Sequence, residues 1–152
     1  MLSLPPRDAD GNVTPHDHDG IHDTDGILRK VTEHHLVPDG KGGRRLSSLL
    51  LKISSPTTGI SVDLEQLILD DGLDPQVQIM LPPPAAIGAV RFIARDFRQE
   101  TLMIGFDPIY DDPIRVNPYH GQIWGDMTQG KIKRLLRQAQ WFVEISDVMI
   151  PR

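Results

Sequence analysis

The chain of 152 residues reads as α+β: a small, mostly antiparallel sheet packed against a C-terminal amphipathic helix, with an irregular N-terminal arm. Three observations predict this. Short runs of branched and aromatic residues recur between turn-rich segments, which is a strand signal. Near the C-terminus, Ile132, Leu135, Leu136, Ala139, Phe142 and Val143 recur at helical spacing, while Lys131, Lys133, Arg134 and Arg137 occupy the other positions. Residues 1–26 hold almost no apolar side chains and are dense in Asp, Gly, Pro and Asn, so they cannot bury enough surface to fold alone.

The elements follow in order. After the 1–26 arm, a domain over 27–152 is expected to open with a strand at 27–31. A loop follows at 34–43, and the apolar run 46–53 fits a buried strand or a short helical turn equally well. After the turn-rich 54–59, a strand at 60–62 precedes a helix over 64–70, with Asp63 as N-cap and Gly72 as stop. Asp74-Pro75 and three consecutive prolines at 82–84 bracket the next segment. Residues 88–94 and 101–106 read as neighbouring antiparallel strands, and 121–125 as another after a proline-rich loop. Thr128 or Gln129 opens the last helix, which should seal the sheet. All eight aromatic residues fall after residue 91, so the first half must dock onto a core built mainly by the second.

Charge is unevenly distributed. Six aspartates (Asp8, Asp10, Asp17, Asp19, Asp23 and Asp25) against Arg7 give the arm the whole net charge of −5, and the remainder is balanced. A balanced body lacks the pervasive positive field of a dedicated nucleic-acid binder. The absence of cysteine excludes disulfides, thiolate zinc sites and a cysteine nucleophile. With no signal-peptide pattern and no run of the roughly 20 apolar residues that a span requires, a cytoplasmic protein without membrane contact is expected.

Three constellations are candidates for chemistry. In the arm, His16, His18 and His22 alternate with aspartates, and imidazole and carboxylate are the ligands of a cysteine-free divalent metal site. The run Arg44, Arg45, Ser47 and Ser48, beside Lys41 and next to Glu33, His34 and His35, suits an anionic ligand, since guanidinium forks and hydroxyls match phosphate oxygens. Its structural alternative is pairing of the arginines with acids between Asp63 and Asp74. The rigid turn Asn117-Pro118-Tyr119-His120 delivers His120 and Gln122 to the start of a strand, where a scaffold can present catalytic groups.

The blocks PHDHDGI, HLVPDGKGGRRLSS, ISVDLEQLILDDGL, GAVRF, IGFDP and NPYHGQIWG resemble a family of small bacterial proteins of unassigned function. The likeness runs from Pro15 to Trp141 and is most specific at Arg45-Leu46-Ser47-Ser48 and Ser61-Val62-Asp63. A looser similarity links the order Arg29, Ser47 or Ser48, and position 122 to the ADP-ribosyltransferase fold. That likeness implies NAD as ligand and Arg29, Ser48, His120 and position 122 as the pocket. Gln122 stands where that fold carries a glutamate, so the resemblance implies a member that binds a nucleotide without transferring it, unless Glu65 substitutes.

Three functions are therefore expected in order: an accessory or binding protein engaging an anionic ligand or protein partner; an ADP-ribosyltransferase-like or toxin-type enzyme; and a nucleic-acid contact through the last helix. The enzyme requires Arg29, Ser48 and His120 to converge in one concave pocket.

Overall fold

A computed structural model describes residues 2–111, 113 and 115–152 and is α+β, as the sequence predicts. Its strands are β1 (Gly26–Val31), β2 (Leu36–Pro38), β3 (Arg44–Leu46), β4 (Ile60–Leu64), β5 (Gly88–Ile93), β6 (Met103–Phe106), β7 (Ile109–Asp111), β8 (Arg115–Asn117), β9 (His120–Trp124), β10 (Gln140–Val143) and β11 (Val148–Met149). The helices are α1 (Glu65–Asp70), α2 (Pro75–Ile79), α3 (Ala94–Gln99) and α4 (Gln129–Gln138), with 3-10 turns at Glu33–His35 and Ser48–Leu51. Six strands form an antiparallel sheet in the order β10-β5-β1-β4-β9-β6; β11-β3-β2 and the β7-β8 hairpin are separate. No helix of the described residues is long and apolar enough to cross a membrane.

Strand alternation divides the main sheet into two unlike faces. Ile27, Val31, Ile60, Val62, Leu64, Val90, Phe92, Ile104 and Ile123 share one core with Leu50 and Leu51 of the second 3-10 turn, Phe97 of α3, and Ile132, Leu135 and Leu136 of α4. The other face carries a smaller cluster, in which Leu28 and Ala89 meet Ile68 of α1, Ile79 of α2 and Tyr119. Between these apolar contacts that face presents Lys30, Ser61, Asp63, Arg91, His120 and Gln122, because each occupies the alternate position of its strand.

The final helix does seal the apolar face, but it ends earlier than its stripe suggests. Thr128 accepts a hydrogen bond from the Lys131 amide at the N-terminus, and Gln138 is the last helical residue. Phe142 and Val143 belong instead to β10, whose pairing with β5 satisfies backbone groups that a longer helix would leave on the surface. The strand expectations at 88–94 and 101–106 hold as elements but not as neighbours. Residues 94–99 form α3, which crosses the apolar face, and β1, β4 and β9 lie between the two strands. The expected Asp63 N-cap is also corrected: Asp63 lies within β4, α1 begins after Leu64, and the Asp63 carboxylate accepts from the Asn117 amide at 2.9 Å. Further on, Asp74 caps α2 by accepting from the Gln76 amide, with Pro75 in the first turn.

The arm docks on the body as a cover for an exposed sheet edge. β6 pairs with β9 on one side only, so its outer amides and carbonyls need partners. The His18 amide donates to the Ile104 carbonyl at 2.8 Å. The Ile104 amide donates to the Asp17 carboxylate at 2.9 Å, and the Phe106 amide donates to His16 Nε2 at 3.1 Å. Arg98 of α3 then holds the same segment through Asp17, Asp23 and the His18 carbonyl. Gly105 makes the approach feasible, since a Cβ there would run into the Trp124 ring and the His16 imidazole.

Two outcomes test this packing. Leu135→Ala should lower the free energy of unfolding by about 2–5 kcal/mol in denaturant titration, the range for opening a cavity in a filled core. His35 is buried, and its Nδ1 accepts from the Thr32 amide at 3.1 Å. Burial, with Arg29 and His34 adding repulsion, pushes it down to about 4. Its contribution is therefore complete above the ordinary imidazole value near 6.5 and is lost as pH falls toward 4, where the unfolded chain binds the extra proton. The loss amounts to about 3 kcal/mol. Stability measured from pH 7 to 4 should show it, and His35→Gln should remove that component of the slope.

Candidate functional site

Two separate depressions gather most of the polar residues that the sequence singles out beyond the arm. The first is a cleft of about 630 Å³ between β2, β3, the second 3-10 turn and α4, with Arg152 at its rim. Arg45, Ser47, Ser48, Gln129, Lys133, Arg137 and Arg152 supply all its polar walls, and Val37, Pro38, Ile132, Leu136 and Pro151 the apolar ones. Ser47 is buried and caps the 3-10 turn by accepting from the Leu49 amide at 3.2 Å, which fixes the backbone that carries Ser48. Arg152 reaches across the end of α4 to the carbonyls of Leu136, Arg137 and Ala139. Among the described residues no Asp or Glu side chain lines this cleft, and Arg45, Lys133 and Arg137 form no ion pair.

The expected ligand-binding set therefore meets in part. Arg45, Ser47 and Ser48 share the cleft, whereas Arg44 turns to Glu33 at 2.8 Å. Pairing of these arginines with acids between Asp63 and Asp74 does not occur among the described residues. Lys133 and Arg137 were legible as a basic helix face, but only the fold brings that face over the Arg45 strand. Arg152 and Gln129 carried no sequence signal.

The second depression lies on the polar face of the main sheet. It is small, about 30 Å³, and is bordered by Leu28, Lys30, Ser61, Asp63, Ile79, Pro84, Arg115 and His120. Asp63 and His120 are direct cross-strand partners in the β4–β9 ladder, so their side chains project to the same side. His120 is 3% exposed. Its Nδ1 lies 2.8 Å from the Asp107 carbonyl and 3.4 Å from the Asp107 carboxylate, and with two acceptors there it must carry the proton. Among the described residues neither His120 Nε2 nor Arg115 Nε has a hydrogen-bond partner, although both are buried. Lys30 donates to the carbonyls of Leu81 and Pro84 at 2.6 and 3.1 Å.

Burial raises the Asp63 carboxyl above the ordinary carboxylate range, against the opposing pull of the Asn117 amide, His120, Lys30 and Arg115. Asp107 moves the other way: burial opposes its charge, but hydrogen bonds from His120 and Gln122 outweigh that and hold it low. Lys30 is lowered, chiefly by desolvation. Two carboxyls flanking one imidazole thus have opposite tendencies, a pattern typical of sites that handle protons. Asp107 belongs to the IGFDP block that the sequence reading noticed, but nothing in its spacing linked it to His120.

The remaining candidates have structural employment. Arg29 borders the small depression, but strand alternation sends its side chain to the opposite face. Its guanidinium donates to the carbonyls of Leu50 and Ser61 at 3.0 Å each, and burial lowers it to about 10. Gln122 donates to the Asp107 carboxylate and accepts from the Gly59 amide at 3.1 Å. Only an amide does both; a glutamate there would face another carboxylate. Glu65 is clamped to Arg91 by paired hydrogen bonds. Ser48 lies in the other cleft, so Arg29, Ser48 and His120 do not converge.

The histidines of the arm are likewise committed. His16 Nδ1 donates to the Thr14 carbonyl at 2.8 Å while its Nε2 accepts from Phe106. His18 Nε2 donates to the Ser3 carbonyl at 2.9 Å while its Nδ1 accepts from the Gly20 amide at 3.0 Å. Both ring nitrogens of each are used, and the exposed His22 lines, with His18, Asp19 and Asp25, a third cavity of about 310 Å³ between the arm and α1. No group of three metal-ligating side chains converges among the described residues. The alternation of His and Asp serves a sheet edge, where the same lone pairs accept backbone amides instead of binding a cation.

Asp63 offers a direct check on this electrostatic picture. With its folded carboxyl raised, the folded state gains as pH falls through that raised value, and the buried charge weakens the fold above it. Asp63→Asn should therefore be more stable than the parent at pH 7 in denaturant titration, with the advantage shrinking as the solution is acidified toward pH 4.

Comparison of the chain with protein-family models, with curated proteins and with solved structures found no match in any of the three. The chemistry of the two depressions is thus the ground on which a function rests.

Proposed function

We propose that this protein binds a small anionic ligand, of the phosphate-bearing kind, in the cleft of Arg45, Ser47, Ser48, Lys133 and Arg137. One observation carries the reading: four cationic side chains and two hydroxyls, from segments far apart in the chain, line one concave surface that no described Asp or Glu side chain shares. Bringing like charges together costs energy in the empty protein, and an anion relieves that repulsion. Arginine suits the role, because its planar fork donates two parallel hydrogen bonds to neighbouring oxygens, each stronger than a neutral bond. Ser47 and Ser48 add neutral donors beside the charges. The apolar wall of Val37, Ile132 and Leu136 gives a non-polar part of the ligand a place to lie. The cleft volume falls within the range of small-molecule sites.

Tripolyphosphate is a suitable probe. Calorimetric titration should show saturable binding of one equivalent. The double variant Arg45→Ala, Lys133→Ala should weaken it at least about tenfold, since a hydrogen bond to a charged group is worth roughly 1.5–3 kcal/mol. Its melting temperature should stay close to that of the parent, because both side chains are exposed and outside the core. Lack of saturable binding, or equal affinity in the double variant, defeats the proposal. A short single-stranded oligonucleotide in the same assay separates the nucleic-acid reading: tighter binding than tripolyphosphate, with a steep salt dependence, would favour it instead.

A further inference from the structure

We infer that the small depression on the polar face is a binding site for one water molecule, held between Arg115 Nε and His120 Nε2 beside Asp63, with His120 Nε2 accepting one of its hydrogen bonds. This site is distinct from the anionic cleft and does not rest on it.

Three features lead there. The first is hydrogen-bond accounting. Buried polar atoms are nearly always paired, because an unpaired one forfeits its hydration. Among the described residues His120 Nε2 and Arg115 Nε are left over, and both residues border the same depression. They are complementary. The Nδ1 proton of His120 is held by Asp107, so Nε2 of the neutral ring offers a lone pair, whereas Arg115 Nε offers only a proton. A direct bond between them is absent, and a molecule that accepts from one and donates to the other satisfies both.

The second feature is size. About 30 Å³ accommodates a water, which needs roughly 10–15 Å³ by the same measure, and it is far below the volume of a small-molecule site. A buried water is stable when it makes about three hydrogen bonds. Arg115 supplies a donor, His120 an acceptor and Asp63 a second acceptor, each from a different strand.

The third feature is the arrangement behind the imidazole. Asp107 fixes the ring through its carbonyl at 2.8 Å and places its carboxylate 3.4 Å from Nδ1, while Gln122 holds that carboxylate from the other side. This is the architecture by which an imidazole is oriented to accept a proton at Nε2 and is compensated once charged. The ring stands between the Asp107 and Asp63 carboxyls, with the cations Lys30 and Arg115 facing the same space.

Nuclear magnetic resonance on the intact chain tests this. Long-range ¹H–¹⁵N spectra at pH 7 should show His120 neutral with its proton on Nδ1, and water-selective cross-relaxation should give Arg115 Nε–H a contact with a long-lived water. His120→Phe should abolish that contact. A proton on Nε2, in either the other neutral tautomer or the imidazolium, overturns the proposal. So does an Arg115 Nε–H without a water contact, or a contact that survives in a folded His120→Phe protein. Should that variant fail to fold, the tautomer and the water contact in the parent chain decide the matter.

Discussion

The alternation of side chains across the antiparallel pairing of β1, β4 and β9 is the constraint on which the rest of this molecule depends. A pleated strand sends neighbours to opposite faces, so the register Ile27↔Leu64, Leu28↔Asp63 and Asp63↔His120 sorts every residue of the central strands at once. One side becomes continuous hydrocarbon and takes α3, α4 and a 3-10 turn. The other collects the histidine, the carboxyls and the lysine. A slip of one residue would place Asp63 and His120 in hydrocarbon and expose Val62 and Leu64, a loss of several buried side chains at roughly 1.5–3 kcal/mol each. The polar centre is thus held in register by the apolar face behind it.

The same economy appears at the edges of the sheet. β6 has one free side, and the acidic arm fills it with Asp17 and His16 as acceptors and the His18 amide as donor. At the opposite edge, Gln76 donates to the Phe142 carbonyl of β10 at 2.7 Å. Side chains standing in for a neighbouring strand satisfy the backbone without offering a regular ladder to another chain. Arg98 is the fastener of the arm: Asp17 and Asp23 offset its partial burial and raise it. The net charge of the arm is therefore partly neutralised by the body it covers.

The two depressions differ in chemistry because they are made by different means. The Arg45 cleft forms where two basic segments meet at the edge of the apolar face, and its charge is left unpaired among the described residues. The His120 centre forms inside the polar face, where burial pushes both carboxyls up and prevails at Asp63, while hydrogen bonds from His120 and Gln122 overcome it at Asp107. The first is wide enough for a ligand; the second is water-sized. Arg29 lies between them, its guanidinium spent on carbonyls of the 3-10 turn after Ser47 and of β4.

Much of the fold was legible in the sequence, because hydrophobic period and turn chemistry are local properties. The strand at 27–31, the strand leading into Asp63, the stripe of α4 and the polar character of the arm all follow from side chains a few residues apart. Arg45, Ser47 and Ser48 were legible as an anion-suited run, and His120 as a presented side chain, for the same reason. What the sequence left open depends on which strands pair. Whether β5 and β6 are neighbours, whether Asp63 caps a helix or faces His120, and whether His16 and His18 bind a cation or a strand edge are decided by contacts across scores of residues. Those contacts form when the whole chain minimises its exposed hydrocarbon and unpaired backbone together. Tertiary structure alone brought Lys133, Arg137 and Arg152 to Arg45 and Asp107 to His120, since no local rule relates residues that become neighbours only through the closing of a sheet.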